Sequence, residues 1–159
     1  MGRDAKIALS ATQWSVALAL LFIFAAQALT AIPALSLTAD EPVYLAAGYA
    51  ALRTGDWRMA TQAQHPPLMQ LLSALPLLLQ PGPDLNALDG WATAEMSRFA
   101  PAFVSWYGDR LAPMTFTARL PTIGVGLLWA AFLFRWAADR FGPWGGLLAL
   151  TLFVFDPNI

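Results

Sequence analysis

The chain has 159 residues, of which 58% are hydrophobic and 12% charged. Ordinary soluble domains run at roughly 45–50% apolar and about 25% charged, so both departures point to an integral membrane protein. A net charge of −1 leaves no basic surface for nucleic acid, and the lack of cysteine removes disulfides, thiolate metal sites and cysteine nucleophiles.

The first predicted element is a membrane span. Trp14 to Leu37 carries no charge, and about 20 apolar residues suffice to cross the hydrocarbon core. Arg3, Lys6 and "AAQA" imitate a signal peptide, but the apolar run exceeds the roughly 7–15 residues of a signal h-region, so an uncleaved span is expected. Pro42 to Arg53 then reads as a helix. Asp40 or Glu41 can cap it, proline is tolerated in its first turn, and Gly55 follows its end. Its Val, Leu, Ala and Tyr surface suits a helix lying on the bilayer or against other spans.

"PPLMQLLSALPLLLQPGP" is bracketed by prolines and interrupted by Pro76. The helical part, Leu68 to Gln80, is too short to span easily, which predicts an interfacial helix. Trp91 to Ala112 reads as a further helix of mixed polarity. A second span is expected over about 119–137, with Arg119 and Arg135 snorkelling from its ends and Trp129 and Trp136 at the interface. Gly142 and Pro143 mark a tight turn into a third span over about 142–159. The apolar ending "LFVFDPNI" reads as a chain that continues beyond residue 159.

Lysine and arginine in short loops set orientation. Arg3 and Lys6 before the first span, and Arg135 and Arg140 around the link between the second and third, fit the cytoplasmic side. The loop 38–118 then lies outside, and Asp40, Glu41, His65 and Asp156 share the external face.

Those four residues are the ones that could carry chemistry. Asp40 and Glu41 can serve as a helix cap with a favourable charge at the positive end of the dipole. They can also supply a general base, since a carboxylate at a low-dielectric boundary gains basicity. Adjacent acids point differently on a helix, so one can orient while the other reacts. His65 is the only imidazole; as a lone histidine it suits a packing or surface role, while "HPPL" fixes the backbone and suits presentation to a phosphate or polar ligand. Arg53, Arg58, Arg98, Arg110 and Arg119 are candidate phosphate ligands, Arg58 lying between the two motifs and Arg119 at a span boundary. A divalent metal on Asp40, Glu41 and His65 is an alternative, but no clustered metal motif is present. No cofactor is called for.

The acidic pair, "GYAALRTGDWRM", "HPPLMQLLSALPLLL", "ARLPTIGVGLL", "RFGPWGG" and "LFVFDPN" follow one another in an order that resembles the N-terminal part of membrane-embedded GT-C glycosyltransferases. The nearest group is the protein O-mannosyltransferase-like, phospholipid-carrier-dependent family 39, with aminoarabinose transferases as relatives. The resemblance runs from Trp14 to Ile159. It implies an all-α polytopic membrane bundle, here with about three transmembrane helices and an external loop of interfacial helices, in the plasma membrane. It also implies transfer of a sugar from a polyprenyl-phosphate donor to a hydroxyl of a protein or glycolipid acceptor, with inversion. Asp40 falls at the position of the family's catalytic acid, with Glu41 beside it; His65, Arg58 and Asp156 are expected to line the substrate site. The chain is shorter than family members, so a complete active site is not expected within it. The rival expectation is a non-enzymatic membrane protein, a transporter piece or assembly subunit, whose acids only cap helices.

Overall fold

A computed structural model describes residues 9–63 and 66–156. Every element among them is helical, and none is a strand. The chain divides into two compact units, one of Ile32–Thr122 and one of the segments before and after it.

The flanking unit contains α1 (Ala11–Ala31) and the larger part of α5 (Leu111–Val154). A reciprocal capping box starts α1: the Gln13 N–H donates to Ser10 Oγ at 3.2 Å, and the Ser10 N–H donates to Gln13 Oε1 at 2.9 Å. The helix stops as Pro33 enters a 3-10 turn, Ile32–Ala34. α5 is interrupted once, at Gly142, whose φ of 79° and ψ of 171° only glycine adopts readily. Beyond it the chain folds back: a Cβ at Gly146 would meet Ala138 Cβ and the Phe134 carbonyl, each at 2.8 Å. Ala17, Leu20 and Phe24 of α1 pack on Ala130 and Phe134 before the break and on Leu147, Leu150 and Phe153 after it. Small residues permit this close approach, as in membrane bundles.

The outward surface of this unit is also apolar. Phe22, Leu128 and Trp144 are each about three-quarters exposed, and helices apolar all round suit a lipid environment. By length and composition, two helical stretches can cross a membrane: Ala11–Ala34 and one within Met96–Val154. The third expected span, 142–159, is helical over 143–154. Those 12 residues rise roughly 18 Å, less than the roughly 30 Å hydrocarbon core, and residues 157–159 lie outside those described. The second span, expected over about 119–137 with Arg119 snorkelling from its end, lies within a longer helix. The helix in fact starts at Leu111 and passes through Arg119, because that charge is neutralised within the fold.

Residues 32–122 fold around α2 (Glu41–Thr54). The proline-containing first turn begins the helix and the left-handed Gly55, whose N–H donates to the Ala51 carbonyl, ends it, as the sequence predicts. Its setting is different from the expected bilayer surface. Leu45, Ala46, Ala47, Gly48, Tyr49, Ala50 and Ala51 are buried in succession, so α2 is covered on all sides. Its alanines and glycine are small because neighbours press on every face. α3 (Pro67–Ala74) crosses so closely at Gly48 that a Cβ there would overlap the Gln70 carbonyl oxygen. α4 (Met96–Tyr107) supplies Phe99 and Phe103, both fully buried, with the Phe103 ring tilted against Tyr49 at a centroid distance of 5.3 Å. The helix expected over Trp91 to Ala112 is shorter than its forecast, since turns precede Met96 and Gly108, at φ 49°, follows Tyr107.

Candidate acidic site at the start of α2

The acidic pair divides its work. Asp40 occupies the N-cap position, yet its side chain makes no capping hydrogen bond and the residue is exposed. Glu41 does the local tying instead: its Oε2 accepts the Thr38 N–H at 2.8 Å. "TADE" has the Thr-x-x-Glu spacing of a capping box, of which the glutamate half forms.

Glu41 also receives a bidentate arginine. Arg119 Nε donates to Oε1 and Nη2 to Oε2, both at 2.7 Å. The remaining donors hold backbone: Nη2 to the Ser36 carbonyl at 2.8 Å, and Nη1 to those of Leu35 at 3.0 Å and Ile32 at 3.4 Å. A guanidinium has five N–H groups, and these five bonds use them all. The Ile32 carbonyl also accepts the Leu35 N–H within the 3-10 turn, and those of Leu35 and Ser36 lie just beyond it, so Arg119 caps the turn and pairs Glu41 at once. Partial burial pushes the Glu41 carboxyl upward, but the Arg119 hydrogen bonds, the Thr38 N–H and the adjacent positive charge outweigh it and hold the group below its ordinary value.

A cleft of about 210 Å³ opens beside this pair, lined by Glu41, Tyr44, Met69, Ser73, Arg119 and Thr122. A larger apolar groove of about 810 Å³ lies between residues 32–37 and 108–116. One wall of that groove is the strand of carbonyls gripped by Arg119, so the clasp shapes the groove without lining it.

The other expected site residues are placed elsewhere. Arg58 sits over Trp91, its guanidinium 4.4 Å from the ring centroid, and pairs with Asp56 at 2.9 Å. Trp91 is itself held by its Nε1–H on Asn86 Oδ1 at 3.2 Å. Asp156 belongs to the flanking unit, where it is exposed and lines a cavity of about 330 Å³ with Phe24, Gln27 and Ala31. His65 lies outside the described residues, and with it the proposed metal set. Among the described residues no three His, Cys, Asp or Glu side chains converge.

The structure thus joins Arg119, not Arg58, to the acidic pair. Residue type alone does not rank Arg119 among Arg53, Arg58, Arg98, Arg110 and Arg119. One signal could have raised it: a charge next to a long apolar run needs a counter-charge, and Glu41 borders the other such run. Comparison with protein-family models, with curated proteins and with solved structures finds no match to this chain.

Proposed function

We propose that the chain belongs to a membrane glycosyltransferase that moves a sugar from a polyprenyl-phosphate donor to an acceptor hydroxyl at the outer face of the membrane, with Asp40 as general base. The observation that carries this reading is the split between the two acids. Glu41 is consumed by Arg119 and Thr38, whereas the Asp40 carboxylate makes no capping bond and is open to solvent. A residue kept only as a helix cap would bond the helix it begins.

In this reading the acceptor oxygen bonds to the anomeric carbon from the side opposite the lipid phosphate. Its proton passes to Asp40 as the anomeric C–O bond breaks, and the phosphate leaves with the bonding pair, giving inversion. Arg119 has no donor left for that phosphate, so the reading leaves it to other cationic groups, with Arg58 and His65 as the candidates the sequence offers. The order of the sequence motifs and the two apolar helices long enough to span a membrane support the class of enzyme.

The test is Asp40→Asn in membranes carrying the protein, assayed for transfer from polyprenyl-phosphate sugars. Loss of the base should lower transfer by about 100-fold or more. Unchanged transfer would remove Asp40 from the chemistry. A wild-type protein that transfers no sugar from any such donor would favour the non-enzymatic alternative.

A further inference from the structure

Residues 35–40 join the 3-10 turn to α2 without helix or strand of their own, and Asp40 is the last of them. The Leu35 and Ser36 carbonyls accept hydrogen bonds from Arg119 Nη1 and Nη2 at 3.0 and 2.8 Å. Glu41 Oε2 accepts the Thr38 N–H at 2.8 Å, and the carbonyl of Asp40 itself accepts the Tyr44 N–H at 3.1 Å. Glu41 is fixed in turn by the two 2.7 Å bonds from Arg119. The backbone is therefore anchored on both sides of Asp40, while the Asp40 carboxylate makes no capping bond. Asp40, Glu41 and Arg119 all belong to the one compact unit Ile32–Thr122.

We infer that Arg119 is a positioning residue for the sugar transfer proposed above, a role that rests on Asp40 being the general base. Arg119 acts through Glu41 and the loop carbonyls to hold the Asp40 main chain where the carboxylate reaches the acceptor hydroxyl. A base must come within about 2.6–3.2 Å of the oxygen it deprotonates, and a misplacement of about 1 Å can cost about 100-fold. Asp40 has no cap bond to orient its side chain, so its reach is set by its backbone. Two plainer roles explain less. A ligand for the lipid phosphate would keep donors open, and those of Arg119 are occupied. A simple salt bridge needs only Glu41, yet the other bonds go to the stretch that leads into Asp40. The planar fork of a guanidinium serves both edges at once, which the compact ammonium of lysine cannot do.

The test is single-turnover transfer by the full-length protein in nanodiscs, with protein in excess over a polyprenyl-phosphate sugar. Protein concentration is raised until the rate constant reaches its plateau. Arg119→Lys keeps the charge and changes the geometry, and should lower the plateau roughly 10- to 100-fold. A protein that is merely less stable would reach the wild-type plateau at a higher concentration, as would one that had lost a phosphate ligand. Either result overturns the inference. Asp40→Asn combined with Arg119→Lys should be no slower than Asp40→Asn alone, because both act through one carboxylate. A further multiplicative fall would mean that Arg119 acts apart from Asp40, and also overturns it. An Asp40→Asn plateau equal to wild type would remove the general base and this role together. A lowered Asp40→Asn plateau beside an unchanged Arg119→Lys plateau would remove this role alone.

Discussion

Glu41 and Arg119, 78 residues apart in the chain, meet through two hydrogen bonds of 2.7 Å, and the rest of the same guanidinium grips the carbonyls of Ile32, Leu35 and Ser36. One side chain therefore ties the segment entering residues 32–122 to the start of α2 and to α5. Their side chains are 23% and 14% exposed, between the open surface pair that contributes little and the fully buried pair that is costly to break. Glu41→Gln should destabilise the protein by about 1–3 kcal/mol, read as a lowered thermal midpoint in detergent. Arg119→Lys, although it keeps the charge, should also lower the midpoint, since an ammonium has three donors in place of five.

Acid should act through the same clasp. The Glu41 carboxyl is held below its ordinary value of 4.5, so its folded-state stabilisation is complete above that pH and is lost as pH falls through the lowered folded-state value. Thermal midpoints of wild type and Glu41→Gln should differ most near neutral pH and converge as pH falls through the lowered folded-state value, where the glutamate becomes protonated.

Asp40→Asn should leave stability within about 0.5 kcal/mol of wild type, because the carboxylate makes no capping bond and is exposed. Paired with the transfer assay, this separates the two acids: one substitution moves stability, the other activity. A large fall in the Asp40→Asn midpoint would mean that the residue is structural after all.

Gly48→Ala should cost about 1–3 kcal/mol, since its methyl would overlap the Gln70 carbonyl oxygen, a backbone atom that cannot swing aside. The midpoint of unfolding reads the loss.

Gly142→Ala should cost a similar amount for a different reason. Its surroundings are open, and the penalty, about 1–3 kcal/mol, comes from φ and ψ values that a Cβ disfavours. Gly124→Ala, where a Cβ also meets nothing but φ is ordinary, should be close to neutral by the same thermal measurement.

Helix positions were legible because their signals are local. Pro42 and Gly55, and Gly142 with Pro143, act within a turn or two of their own backbone, and each sits where a helix begins, ends or breaks; the Ser10–Gln13 box, equally local, starts α1 three residues before the Trp14 expected. The apolar excess that yields two helices long and apolar enough to cross a membrane is likewise a property of composition. What composition could not distinguish is lipid from protein as the cover of an apolar helix. "VYLAAGYAAL" reads the same on a bilayer or in a core, and only the arrival of α3, α4 and their neighbours makes α2 a core helix. The acids show the same limit. Asp40 and Glu41 are chemically near-identical neighbours, and what separates them is an arginine 78 positions from the second, brought there by the folding of everything between. Long-range pairing depends on the path of the whole chain, so the tertiary structure alone decides which carboxylate is bound and which is open.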